Sequence, residues 1–110
     1  MKANQLKVNN YVQNGFSKTI QVKWISEESI TGYNIETIKP IPLTEEWLTN
    51  LGAENYKEFF IHDRFMLQWI KGHNYWYVTD AQFKTYITKI EFVHEWQNLF
   101  FTLTQKELTL

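Results

Sequence analysis

Two prolines separated by one residue interrupt the sequence at Lys39-Pro40-Ile41-Pro42-Leu43. Because proline lacks an amide hydrogen and has a fixed φ, this pair cannot lie in a central strand or inside a helix. We therefore predict an extended connector at 40–43 between an N-terminal β-segment, 1–39, and a helix–β-hairpin–helix segment, 44–110. Dividing 110 residues into two cores would leave each half marginal, so we expect a single domain, 1–110.

Apolar residues before the connector have the spacing of short strands. The segment 8–12 leads to Asn14-Gly15, a dipeptide that favours a hairpin turn because both residues tolerate positive φ. The segment 19–24 alternates, which places Ile20, Val22 and Trp24 on one face. With further β character at 30–38, this pattern predicts a small curled, SH3-like β-segment.

A short helix is predicted directly after the connector, at about 45–51. The side chain of Thr44 favours the N-cap position, and Glu45 and Glu46 place negative charge in the first turn, where the helix dipole favours it. Gly52 follows at the position where a residue with positive φ commonly ends a helix. A helix of this length needs packing against other elements to be stable.

Two apolar runs around a polar turn predict a β-hairpin at 65–79, and a further strand is predicted at 86–90. From about 91 to 106, apolar residues recur with helical spacing, which predicts an amphipathic helix packed on the sheet, with His94 and Gln97 on its polar side. Its apolar stripe consists of Phe92, Trp96, Leu99, Phe100 and Leu103. The predicted fold class is therefore α+β with small antiparallel sheets.

Residue types that commonly carry catalysis or hold metals are few and scattered. The chain has no cysteine, which excludes disulfides, thiolate nucleophiles and cysteine-ligated metals. His62, His73 and His94 lie in three different predicted elements, and a zinc-protease pattern would need a histidine at position 98, which is Asn98. The serines show no nucleophile elbow and the glycines no phosphate loop. We expect a protein that is not an enzyme, with no catalytic residue, metal or cofactor.

The N-terminus lacks an apolar signal-peptide stretch, and the apolar runs are far shorter than the roughly 20 residues of a membrane span. We therefore expect a cytoplasmic protein without a membrane partner.

Aromatic residues make up 17% of the chain, more than a core of this size requires. The candidate interaction surface lies in the predicted hairpin and consists of Trp69, Lys71, His73, Tyr75, Trp76 and Tyr77. Strand alternation places Tyr75 and Tyr77 on one face and Trp76 on the other. One face can pack on the C-terminal helix. The other either meets a partner or is covered by the N-terminal β-segment or by the helix at 45–51.

The charge balance favours a protein as the partner. Residues 44–110 carry six basic and nine acidic side chains, whereas phosphate binding normally needs a basic excess. Direct nucleic-acid binding remains the alternative, with the aromatic rings stacking single-stranded RNA bases beside Lys71, Lys84 and Lys89.

Three stretches of the chain carry a resemblance to known proteins: LKVNNYV at 6–12, IPLTEEWL at 41–48 and VHEWQNLFFTLT at 93–104. They resemble a group of short proteins from phages, prophages and mobile elements of Bacteroidetes, which tend to read L-x-I-G-N-Y-V, P-I-P-L-T-E-E-W-L and Y-V-H-x-L-Q-N-L-Y-F-A-L-T-G-E-E-L-T. Asn9 and Gln105 stand where that group tends to have glycine. These departures bear on the opening strand and on the end of the C-terminal helix.

The resemblance implies an accessory protein of a mobile element, and many such proteins bind host proteins. Anti-CRISPR proteins of flavobacterial prophages are of this kind, and one class blocks type VI effectors, which are RNA-guided, RNA-cleaving nucleases. The implied function is a non-catalytic inhibitor that binds a host defence protein, such as a type VI effector with its guide RNA. A single-stranded RNA-binding module and a structural phage protein are the alternatives.

Overall fold

The strand and helix patterns of the sequence appear as short elements in the computed structural model, which describes residues 1–82 and 84–110. In chain order the elements are β1 Tyr11–Gln13, β2 Thr19–Gln21, β3 Ser29–Ile30, β4 Tyr33–Asn34, α1 Glu45–Asn50, β5 Glu54–Asn55, β6 Phe60–His62, β7 Phe65–Trp69, β8 Trp76–Asp80, β9 Thr85–Ile90 and α2 Val93–Thr104. Two 3-10 helices lie at Ala3–Gln5 and Ile35–Thr37. All of the strand pairs are antiparallel. The predicted α+β fold class is confirmed.

The chain divides into two units at the proline connector. Unit 1 comprises Met1–Pro42 and Phe92–Thr109, and unit 2 comprises Leu43–Glu91 and Leu110. Within unit 1, Val93 N donates to Ile41 O at 2.9 Å. Within unit 2, Leu43 N donates to Glu91 O, also at 2.9 Å. Helix α2 therefore belongs to the same unit as the N-terminal segment. The sequence pattern instead predicted the C-terminal helix as part of the continuous segment 44–110.

The core of unit 1 is built from its two small hairpins and the segment before them. Its buried members are Leu6, Val12, Val22, Ile30 and Ile38. Helix α2 packs against β1, so the C-terminal helix does cover a sheet, as predicted.

The buried side of α2 differs from the predicted apolar stripe. Trp96 and Phe100 are buried as expected, but Leu103 is exposed. His94 and Gln97, which the helical spacing assigned to the polar side, are buried instead. Gln97 is buried because its amide bonds main-chain groups of the β1 segment, and buried main-chain groups require partners.

The strands of the N-terminal segment form two separate two-stranded hairpins, β1–β2 and β3–β4, and not one curled sheet. Asn14-Gly15 lies in the β1–β2 connection as predicted, but that connection spans five residues, 14–18. Strand β2 ends at Gln21, before the alternation reaches Trp24. Val22 is buried and Trp24 is exposed, so these two residues do not share the face that the alternation predicted.

Unit 2 is built on a five-stranded meander in the order β5-β6-β7-β8-β9. Helix α1 has the predicted ends: Thr44 Oγ1 accepts from Trp47 N at 3.3 Å, and Gly52 has a φ of +106°. Leu48 of α1 is fully buried. The predicted hairpin at 65–79 forms as β7 and β8, and the predicted strand at 86–90 forms as β9.

Candidate functional site

Cross-strand pairing divides the side chains of the β7–β8 hairpin between two faces. Trp69 pairs with Trp76, and Gln68 pairs with Tyr77. Because directly paired residues point to the same side of a sheet, the two tryptophans share one face, here called the inner face. Tyr77 lies on the opposite, outer face, as the alternation predicted.

Trp76 belongs to the core of unit 2. Only 4% of the residue is exposed, and its Nε1 donates to Leu43 O at 2.8 Å. Its ring meets that of Phe60 edge-on, with 5.8 Å between centroids. Of the six predicted surface residues, Trp76 therefore cannot reach a partner while unit 2 is folded. The residue that meets Trp76 here is Leu43 of the connector, and not the N-terminal β-segment or the helix at 45–51 that the sequence offered as covers.

Trp69 is the inner-face ring that remains accessible, with 45% exposure. It lies 5.4 Å from the ring of Trp76, centroid to centroid. An open cleft of about 320 Å³ borders it. The cleft is lined by Glu45, Lys57, Glu58, Phe60, Gln68, Trp69 and Trp76. Its rim therefore carries charges of both signs.

Tyr77 is the centre of a ring cluster on the outer face. Its Oη lies 2.8 Å from Nδ1 of His73, in the turn before β8. On the other side its ring lies 6.1 Å from that of Tyr86 on β9, at an interplanar angle of 51°. Tyr77 is half-buried, whereas His73 is exposed and Tyr86 is 56% exposed. The hairpin and β9 thus hold three rings in contact.

A β-bulge brings Tyr86 to this face. Val78 pairs with Thr88, but the next residue of β8, Thr79, pairs with Tyr86, so Ile87 is the extra residue of β9. Without the bulge Thr79 would pair with Ile87, and Tyr86 would point to the inner face. Bulges commonly redirect side chains in this way. Sequence reasoning assigned Tyr86 to a strand but not to the candidate surface, because the period-two pattern does not reveal a bulge.

Lys89 adds a cation to the outer face. It pairs with Tyr77 across β8 and β9, and its Nζ lies 4.5 Å from the ring centroid of Tyr75. This distance is within the range of cation–π attraction. We call the set His73, Tyr75, Tyr77, Tyr86 and Lys89 the tyrosine surface. Its members come from the β7–β8 turn and from the two strands β8 and β9.

Two further lysines flank the tyrosine surface. Lys71 is exposed in the turn between β7 and β8, and Lys84 is exposed in the turn between β8 and β9. Lys71 therefore lies near the Tyr75 end of β8, and Lys84 lies near Tyr86. The nearby carboxylate of Asp80 is engaged at 3.5 Å by Arg64. Lys71, Lys84 and Lys89 are thus three exposed basic side chains on β9 or in the turns beside β8.

The histidines serve separate local roles. His62 Nε2 lies 3.2 Å from Leu51 O, after α1, and His94 is buried in unit 1. Burial lowers the pKa of His94 below its ordinary value, and the Glu95 carboxylate partly opposes this shift. Across residues 1–82 and 84–110, no group of three or more His, Asp or Glu side chains is placed to hold a metal ion.

No helix in the described part of the chain has both the length and the apolar character that crossing a membrane requires. The chain matches no family model, no curated protein and no solved structure.

Proposed function

We propose that this protein is a non-catalytic inhibitor that binds a host defence protein, and that the tyrosine surface is its main contact. One observation supports this proposal most strongly: Tyr77 joins His73 and Tyr86 in a continuous set of rings on an exposed sheet face. Tyrosine is enriched among the residues that dominate binding energy. Rings already held by neighbours lose little conformational entropy when a partner covers them.

The lysines around the tyrosine surface define the partner's chemistry. Lys71, Lys84 and Lys89 would face a surface that carries carboxylates around an apolar patch. Charge complementarity of this kind selects the partner and speeds association more than it raises affinity. A protein surface combines both features, and an acidic unit 2 is compatible with it.

The resemblance of 6–12, 41–48 and 93–104 to mobile-element proteins points to a first partner to test. We propose that this partner is a type VI effector bound to its guide RNA. The inhibition would take place in the cytoplasm of a bacterial host. An inhibitor that acts by binding should reduce RNA cleavage in proportion to its concentration, reaching completion near one inhibitor per effector.

Single-stranded RNA is the second candidate partner, and one observation favours it. The cation of Lys89 over the Tyr75 ring, with tyrosines on the same sheet face, is an arrangement that can stack bases and contact phosphates. RNA binding through phosphates would weaken steeply as salt rises from 50 to 200 mM. The affinity for a protein bound through an apolar contact would change much less over the same salt range.

The experiment is a titration of a purified effector–guide complex, with cleavage of labelled RNA and direct binding measured in parallel. The test variant combines Tyr75→Ala and Tyr86→Ala, which removes the two exposed tyrosine rings and leaves the half-buried Tyr77 in place. We expect affinity to fall at least about tenfold, because each hot-spot ring typically contributes more than 1 kcal/mol. Tyr33→Ala is the matched control, since Tyr33 is an exposed tyrosine of unit 1.

The outcomes separate the parts of the proposal. Normal binding by the double variant would exclude the tyrosine surface as the contact. Absence of binding by the wild-type protein to the effector complex would exclude this target. Tight binding to free single-stranded RNA with a steep salt dependence would support the second candidate instead.

A further inference from the structure

The tip of the β1–β2 hairpin carries the most exposed large apolar side chain of the described ranges. Phe16 is 91% exposed and lies in the loop 14–18 of unit 1. A phenyl ring has no polar atom that hydrogen-bonds water, and moving its apolar surface out of water is favourable. Single exposed apolar residues are common, so exposure alone does not indicate a role for Phe16. The structure of its loop provides the further evidence.

The loop is well ordered by its own hydrogen bonds. The side chain of Asn14 is the organising group, and Asn14 is buried, with 4% exposure. Its Oδ1 accepts from Phe16 N at 2.9 Å and from Lys18 N at 3.0 Å. Asn14 N donates to Lys18 O at 2.9 Å, and Ser17 N donates to Asn14 O at 3.0 Å. The main chain on both sides of Phe16 is thus held by one buried residue.

Neighbouring residues support the base of the loop. A Cβ at Gly15 would be 3.5 Å from Thr37 Cβ, so the main chain lies close to the 3-10 helix at Ile35–Thr37. Lys39 and Gln13 exchange two main-chain hydrogen bonds of 2.9 Å where β1 enters the loop. The main chain that carries Phe16 is therefore held in place, and the loop does not use the ring for its own packing.

We propose that Phe16 is an anchor that inserts into an apolar pocket of a protein partner. The partner pocket should have an acidic rim, because Lys18 within the loop and Lys39 beside it are both exposed cations. Because hydrogen bonds hold the main chain of the loop before association, only the rotamers of the ring have to be fixed on binding. Single aromatic anchors that fill a pocket are a recurrent source of interface energy.

A protein pocket fits this tip better than RNA does. Stacking of bases requires a ring face within a groove lined by cations, with successive rings along the strand. Phe16 is instead a single ring at the tip of a hairpin. Phe16 belongs to unit 1, whereas the residues of the tyrosine surface belong to unit 2.

The test begins with site-specific crosslinking of the full chain. Phe16 is replaced by p-benzoylphenylalanine, the protein is expressed in host cells, and irradiation is expected to give one discrete protein adduct. Excess wild-type chain should suppress the adduct, whereas the Phe16→Ala chain should not. The adduct is then identified by mass spectrometry and the partner is purified for affinity measurements.

Affinity for the purified partner distinguishes an anchor from a neutral contact. We expect Phe16→Ala to weaken binding at least about tenfold, and Asn14→Ala to weaken it by a smaller factor because the loop loses its organising bonds. Trp24→Ala, another exposed ring of unit 1, should change affinity less than about twofold. Circular dichroism confirms that each variant is folded.

Several results would overturn the anchor. These are the absence of an adduct, an adduct with RNA, a covalent dimer of the chain itself, or less than twofold loss of affinity in Phe16→Ala. Normal affinity of the Tyr75→Ala/Tyr86→Ala variant for the crosslinked partner would remove the tyrosine surface from this contact and leave the anchor intact. Failure of the anchor is therefore distinguishable from failure of the proposed function.

Discussion

Replacing Gln97 by leucine should destabilise unit 1 strongly, although the two side chains have similar volumes. Gln97 is 1% exposed. Its Oε1 accepts from Tyr11 N at 2.8 Å, and its Nε2 donates to Asn9 O and Leu108 O, both at 2.9 Å. One side chain thus joins α2 to the β1 segment and to the C-terminal tail.

The expected magnitude follows from these three bonds. A buried main-chain group that loses its partner costs about 1–3 kcal/mol. Asn9 O keeps a weaker neighbour, Gln21 Nε2 at 3.5 Å, so its loss should be small. Leucine fills a similar volume, and the cavity contribution is therefore minor. Two groups, Tyr11 N and Leu108 O, lose their Gln97 partner, so we expect Gln97→Leu to lower the free energy of unfolding by roughly 2–6 kcal/mol, a large part of the stability of a small protein.

Urea unfolding followed by tryptophan fluorescence measures this change. With a slope of about 1–3 kcal/mol/M, the midpoint should fall by at least about 0.7 M at an unchanged slope. Thr102→Leu is the control, because Thr102 is exposed on the same helix and should change stability by less than about 0.5 kcal/mol. A Gln97→Leu midpoint within 0.2 M of wild type, to use a rough threshold, would refute the assigned role of this amide.

Two further stability predictions concern α2. Gln105 adopts a left-handed conformation, with φ of 62°, at the end of the helix. Because glycine adopts this conformation without strain, Gln105→Gly should raise the unfolding free energy by about 0.5–1 kcal/mol. An unchanged or lower urea midpoint would show instead that the Gln105 side chain stabilises the helix end. His94 has a lowered pKa in the folded state because it is buried; the unfolded chain therefore binds its proton first as pH falls below about 6.5. Stability from this group should be present above that pH and be lost as pH falls through the lower folded pKa, whereas His94→Gln should flatten this part of a pH series of urea midpoints.

Local sequence signals predicted much of the fold because the interactions behind them are local. Thr44 and Gly52 marked the ends of α1 through a cap and a positive φ, which depend on residues within one turn. The hairpin at 65–79 was predicted because alternation and a glycine-containing turn act within about 15 residues. Positive φ at residues other than glycine was not signalled locally: Asn9 and Gln105 have φ of 79° and 62°.

The candidate surface was predicted only in part. Trp69, Lys71, His73, Tyr75 and Tyr77 reach the surface to different degrees, but Trp76 is buried by a contact with Leu43, 33 residues earlier. Tyr86 was missed because a bulge between β8 and β9 sets its direction. Phe16 was missed because an isolated phenylalanine in a turn has no pattern that distinguishes an exposed ring from a buried one.

The sequence by itself determined the class of the elements, their approximate bounds and the absence of cysteine chemistry, since these depend on composition and on neighbours along the chain. Only the tertiary structure decided which aromatic rings are exposed and why α2 buries an amide among apolar residues. Burial depends on partners that are distant in sequence, such as Asn9 and Leu108 for Gln97. Helical spacing specifies which residues share a side of a helix, but the main-chain groups of other segments determine which side is buried.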